Sequence, residues 1–215
     1  MTIEIAALSW VPPFARGHVR DLRVRWALEE AGLSYRTVLR DPRQPASEEY
    51  RRWQPFGQVP AYRDGEVELF ESGAIILHLA AESEALAPPG RAGLSRVASW
   101  TIAALNTLEP IVLEFAAINV FHAGEAWTVE RRPQVEAALH RRLAQVEQAL
   151  GDRDYLEGRF TGADIVMVTL LRQLERPGLL AVHPALDAYR RRGEARPAFA
   201  RALAAQLGDF EREAA

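Results

Sequence analysis

The chain has 215 residues, 48% of them hydrophobic, and a formal net charge of -3, which is enough for two domains and a sizeable core. That balance argues against nucleic acid or an anionic membrane as partner, because the runs Arg51-Arg52, Arg141-Arg142 and Arg190-Arg191-Arg192 read as solvated helix faces rather than one basic surface. Cysteine is absent and all 26 basic residues are arginine, so disulfides, thiolate metal sites, a cysteine nucleophile and lysine Schiff-base chemistry are excluded.

The amino terminus starts with Thr2-Ile-Glu-Ile5, without a basic region or an apolar core of signal-peptide length. No stretch reads as the roughly 20 apolar residues needed to cross a bilayer, so a cytoplasmic protein is expected. Ile3 to Leu8 reads as a buried strand. After the loop Trp10 to Gly17, the apolar positions Val19, Leu22 and Trp26 recur at helical spacing until Gly32 stops the helix. Tyr35 to Leu39 reads as a second strand and Ser47 to Trp53 as a short helix.

The stretch Gln54 to Leu79 carries the most information. Pro55-Phe-Gly57 is turn-prone and leads through Val59-Pro60 into a short apolar run; Asp64-Gly65 then signals a hairpin, and Val67 to Phe70 forms its second arm. Glu71-Ser72 follows at the start of an apolar helix running to about Ala81. Backbone amides are unpartnered there and the helix dipole is positive, so the position suits a carboxylate ligand. On the residues alone, Glu71 and Ser72 also read simply as a helix cap.

The predicted order, strand-helix-strand-helix-strand-strand-helix, is that of an α/β thioredoxin-like domain. The boundary falls at Ala85 to Gly90, ALAPPG, giving a first domain over 1–84, a linker over 85–92 and an all-helical domain over 93–215. In the latter, Leu94, Val97, Thr101, Leu105 and Leu108 share a helix face ahead of a kink expected at Pro110. Val135, Leu139, Leu143, Val146 and Leu150 make a second stripe. Thr161-Gly-Ala-Asp164 opens a buried helix as a capping box, with Asp where Glu is more usual.

Val59-Pro60 with Glu71-Ser72, and Phe160-Thr-Gly-Ala-Asp-Ile165 in the second domain, resemble the corresponding motifs of the glutathione S-transferase family. The resemblance spans nearly the whole chain. It implies a cis Val59-Pro60 bond, main-chain pairing of Val59 with the cysteinyl unit of glutathione, and recognition of the γ-glutamyl end by Glu71 and Ser72. Gln54 and Gln58 are further candidates for holding the tripeptide, and Trp53 or Phe56 for contacting ligand or anchoring a partner subunit. It also implies a homodimer and a small hydrophobic electrophile or peroxide as second substrate, with glutathione as co-substrate.

The family usually places Tyr, Ser or Cys just after the first strand to activate the thiol. Here that loop reads Ser9-Trp-Val-Pro-Pro-Phe-Ala-Arg-Gly-His18 and has no Tyr or Cys. The candidates are Ser9, then Arg16, then His18, with main-chain amides at the first helix start as a further source. The altered loop keeps open a noncatalytic glutathione- or hydrophobe-binding protein of the same fold. The five histidines show no metal-ligand spacing, so no metal is expected.

Overall fold

The computed structural model describes residues 2–175 and 178–212. The strands are β1 (Ile3–Leu8), β2 (Tyr35–Arg40), β3 (Ala61–Arg63) and β4 (Glu68–Phe70). The helices are α1 (Asp21–Ala31), α2 (Glu48–Trp53), α3 (Ser72–Glu82), α4 (Arg91–Ile102), α5 (Glu109–Ala116), α6 (Ala126–Leu150), α7 (Gly162–Arg172), α8 (Pro184–Glu194) and α9 (Pro197–Arg212). By contact the chain divides into two compact units, Met1–Leu94 with Glu194–Ala215, and Ser95–Gly193.

The first unit has the expected thioredoxin-like order around a sheet arranged β2-β1-β3-β4. β1 runs parallel to β2 from Ile3 opposite Tyr35 to Leu8 opposite Arg40, and antiparallel to β3, which pairs antiparallel with β4. The central strand is apolar on both faces, with Ile5, Ala6 and Ala7 fully buried. Its one acid, Glu4, is buried and receives Arg36 from β2 and Arg63 from β3, so the charge is paired on both sides. Gly32 ends α1 at φ 69, and the Leu33 amide donates to the Leu28 carbonyl at 2.9 Å. Ser47 caps α2 by accepting from the Tyr50 amide at 3.1 Å.

A sequence boundary at 84 leaves everything beyond 93 in one helical domain, whereas contact assigns α9 to the first unit. The cause lies on α1. Arg25 is buried there and donates to Asp21 at 2.7 Å and to Asp209 of α9 at 2.5 Å, while Gln206 of α9 donates to Asp21 at 2.8 Å. A buried guanidinium needs such partners. Around them, Trp26 meets Phe199 edge to face at 4.9 Å, Arg196 donates to both oxygens of Glu30 at 2.6 and 2.8 Å, and Arg201 reaches Glu29 at 2.6 Å. The linker also packs more closely than its composition suggests: Leu86 is fully buried, and a Cβ on Gly93 would lie 2.3 Å from the Pro88 carbonyl oxygen.

α4 and α5 belong to one helical run, Arg91–Phe121, all of which from Ser95 onward falls in the second unit. Two π-helical stretches, Ala103–Leu108 and Ala117–Phe121, interrupt it. The first sits just ahead of Pro110, where wider turns accommodate the missing N–H. The buried face runs Val97, Thr101, Ala104, Leu108, Val112, Phe115 and Ile118, so Ala104 takes the place expected for Leu105. This run corrects one expectation: with a mean hydropathy of 1.4 over an 18-residue window, it is long and apolar enough to cross a membrane by length and composition. Its charged residues, Arg91, Arg96, Glu109 and Glu114, are few enough that an 18-residue window holds only two of them.

α6 is tied to the chain before α8 by His183, whose two ring nitrogens meet Glu147 at 3.1 Å and His140 at 3.1 Å. Asp164, at the third position of α7, is fully buried and accepts four hydrogen bonds: from the Thr161 amide and hydroxyl, the Leu156 amide, and the Tyr189 hydroxyl on α8, at 2.7 to 3.0 Å. The expected capping box is therefore also a junction of three segments.

Asp164→Ala strands all four donors in the interior at once. We expect it to lower stability by about 3–5 kcal/mol, read as a fall in the urea midpoint without change of slope.

Candidate binding site of the first unit

Strand register gathers the sequence-predicted residues at one end of the sheet. Ala61 pairs with Phe70, so one step further Pro60 lies level with Glu71. Ile5 pairs with Tyr62, and the same register continued brings Leu8 and Ser9 level with Val59 and Gln58. The starts of α1 and α3 emerge at this end as well, because each follows the strand that finishes there. Crevices at the carboxyl ends of strands are where α/β sheets bind ligands.

The Val59-Pro60 peptide bond is cis. Val59 is half-buried, and among the described residues neither its N–H nor its carbonyl makes a hydrogen bond. It therefore offers an open donor and acceptor beside the sheet, as an edge strand does. The turn before it is held from inside. Gln54 is buried and its side-chain carbonyl accepts from the Phe56 amide at 2.8 Å and the Gln58 amide at 3.2 Å. Gly57 has φ 65, and a Cβ there would stand 3.0 Å from the Ala46 Cβ. Burial pushes the Tyr50 hydroxyl up to about 12, so it stays a donor, and it donates to the Gln58 carbonyl at 2.5 Å.

The side chains near this corner divide accordingly. Gln58 is exposed, whereas Gln54 has its oxygen committed to the turn. Trp53, considered above as a ligand contact or subunit anchor, is only 7% exposed. It packs with Ala6 and Ala61, lies under the Arg63 guanidinium at 4.7 Å and donates to the Tyr62 carbonyl at 3.0 Å. Phe56 is the exposed aromatic, at 65%, with Phe70 6.0 Å away.

Glu71 is exposed and stands at φ 68 and ψ 119, the one non-glycine residue with positive φ among those described. Such backbone costs of the order of 1–3 kcal/mol and concentrates at functional sites. No side chain caps α3, whose first helical hydrogen bond runs from the Ile75 amide to the Glu71 carbonyl at 3.0 Å. The amides of Ser72, Gly73 and Ala74 thus point forward beside an exposed carboxylate. Ser72 is 3% exposed and accepts from the Arg23 guanidinium at 3.3 Å. Arg23, on the neighbouring face of α1, entered the sequence reading only as part of a helix.

In the loop after β1, Ser9 ends the strand, its amide donating to the Arg40 carbonyl at 2.9 Å. Its hydroxyl is buried and has no hydrogen-bond partner among the described residues. Arg16 is exposed, and His18 is half-buried with its amide bonded to the Ala15 carbonyl at 3.0 Å. Among the described residues no group of three or more His, Asp or Glu side chains is placed to hold a metal ion.

Comparison with known proteins matches two profiles: "Glutathione S-transferase, N-terminal domain" over residues 14–81, and "Glutathione S-transferase, C-terminal domain" over residues 125–192. Glutathione S-transferase 3 of Zea mays is 29% identical over 199 residues, 86% of this chain and 88% of that protein. A probable glutathione S-transferase of Oryza sativa subsp. japonica is 30% identical over 149 residues, 64% of this chain and 68% of that protein. Among solved structures, a glutathione transferase from Burkholderia graminis with two glutathione molecules bound per subunit superposes with a TM-score of 0.81 at 26% identity, covering 94% of this chain and 87% of that one.

The hairpin that delivers Glu71 depends on Asp64, which accepts from the Glu66 and Val67 amides at 2.9 and 3.1 Å and from Tyr62 at 2.9 Å, and faces His78 of α3 at 3.4 Å. Burial alone would raise its pKa, but these donors outweigh burial and hold it at about 2, against 3.8 unperturbed. Because the folded value is depressed, the stabilisation is complete above the unfolded value, declines as pH falls below about 4 and is gone below about 2. Thermal melts of wild type and Asp64→Asn should therefore differ at pH 6 and converge towards pH 2. A difference that does not change with pH would contradict this account.

Proposed function

Since the chain belongs to the glutathione S-transferase family, we propose that it is a glutathione transferase, which binds glutathione on its first unit and presents the sulfur as thiolate to a small apolar electrophile or a peroxide. The observation that carries this reading is the convergence at one end of the sheet of Val59, with both main-chain groups open, and the strained Glu71 in front of an uncapped helix. A tripeptide laid along Val59 pairs with it as an added strand. Its γ-glutamyl ammonium meets the Glu71 carboxylate, and its α-carboxylate meets the Ser72 hydroxyl and the first amides of α3. Gln58 lies at the other side of the corner, towards the glycyl end. Relatives with glutathione bound support the same ligand.

The sulfur must be held as thiolate, and a free thiol titrates near 8.5. Of the three candidates, Ser9 is the buried one, its hydroxyl has no hydrogen-bond partner among the described residues, and it lies level with the Val59 corner. We assign it as the donor to sulfur, ahead of Arg16 and His18. Dimerisation through the exposed Phe56 rather than the buried Trp53 completes the proposal.

Calorimetry should show glutathione binding by wild type and a loss of about 10- to 100-fold in Glu71→Ala and in Ser72→Ala, as expected for charge-assisted hydrogen bonds. The ultraviolet absorbance of the bound thiolate should titrate below pH 8.5 and shift upward in Ser9→Ala. Wild type that binds glutathione with an unshifted thiol, and neither conjugates nor reduces peroxide, would instead be a binding protein.

A further inference from the structure

Arg23 has no place in the proposed contacts with glutathione, yet it is directly connected to one of them. It lies on α1, which packs against α3, and it is 2% exposed. Its Nη1 donates to Ser72 Oγ at 3.3 Å, across 49 residues of sequence. We propose that Arg23 is a positioning residue that sets the polarity of the Ser72 hydroxyl, and through it the recognition of the γ-glutamyl α-carboxylate; this rests on the binding mode proposed above.

The chemistry follows from the two groups' capacities. A hydroxyl has one proton and two lone pairs, and can rotate to serve either as donor or as acceptor. A guanidinium has five N–H donors and no acceptor, and it keeps its charge at every pH the protein meets. Placed against Ser72 Oγ it can only donate, so the serine must accept from it and is left with its single proton to give elsewhere. The hydroxyl is thereby fixed as a donor towards the mouth of the site, where a carboxylate, an acceptor only, is expected. A neutral partner such as glutamine offers an acceptor as well as a donor and would let the hydroxyl turn inward. Burial strengthens the effect, because neither group has water with which to exchange the bond.

The test compares two ligands and two backgrounds. Glutathione and its analogue lacking only the α-carboxylate, 4-aminobutyryl-cysteinyl-glycine, are titrated calorimetrically into wild type, Arg23→Lys, Arg23→Met and Ser72→Ala, and into Arg23→Met combined with Ser72→Ala. Lysine is also a donor without an acceptor, so Arg23→Lys should stay within about twofold of wild type, while Arg23→Met should lose about 3- to 10-fold for glutathione. The loss should disappear for the decarboxylated analogue and in the Ser72→Ala background, and it should appear in KM for glutathione with kcat unchanged. Equal losses for both ligands, or a loss that persists without Ser72, would make Arg23 merely structural and overturn the assignment while leaving glutathione binding intact. Absence of glutathione binding by wild type would overturn the binding mode and this assignment together. If Arg23→Met does not fold, Arg23→Gln carries the same comparison, with a loss confined to glutathione supporting the role and an equal loss for both ligands refuting it.

Discussion

The pairing of Ala61 with Phe70 is the constraint on which the site depends. In a sheet, a shift of one residue sends every side chain to the opposite face, and here it would also move Glu71 out of line with Pro60. The pairing is set locally by Asp64, which gathers the amides of Glu66 and Val67 beneath the turn and accepts from the hydroxyl of Tyr62 on β3. β1 then fixes the other coordinate through Ile5 and Tyr62, bringing Ser9 to the same edge. The residues proposed to bind one ligand thus come from three separate stretches of chain and share a single frame of hydrogen bonds.

Features written in short-range chemistry were legible in the sequence. The Asp64-Gly65 hairpin, the stop at Gly32 and the box at Thr161 to Asp164 each rest on residues within a few positions of one another, and each occupies its expected place. Burial of particular side chains was not legible in that way. Trp53 sits at the end of a polar short helix, and its burial depends on the Tyr62 carbonyl and on Ala6, far away along the chain. Gln54 and Gln58 look alike in sequence, and only the folded turn shows that one braces from within while the other faces out. Arg23 looks like any other arginine of α1 until α3 is packed against it.

A chain whose only strong bases are arginines has cations that cannot be neutralised by burial, so each interior one dictates its surroundings. Arg25 takes two carboxylates, and of these Asp21 is pushed upward by burial against the pull of Arg25 and Gln206. Arg190, also buried, takes Asp187 at 2.8 Å. Arg201 of α9, more than half exposed, pairs instead with Glu29 of α1, where screening leaves about 0–1 kcal/mol, whereas Arg196, just ahead of α9, holds the largely buried Glu30 carboxylate. The specificity of the α1–α9 contact therefore lies in the buried groups rather than in the exposed Arg201–Glu29 pair.

That contact has a consequence for biosynthesis. A ribosome releases a chain from its amino end at about 5–20 residues per second, and domains usually fold as they emerge. Here the sheet and its first three helices are complete by Glu82, but the partner that covers Arg25, Trp26 and Asp21 begins at Pro197. More than a hundred residues, including the whole of the second unit, are made in between. The nascent first unit must spend that interval, of the order of 5–20 s at those rates, with a charged and aromatic seam open to water, and it closes only when the last helix leaves the exit tunnel.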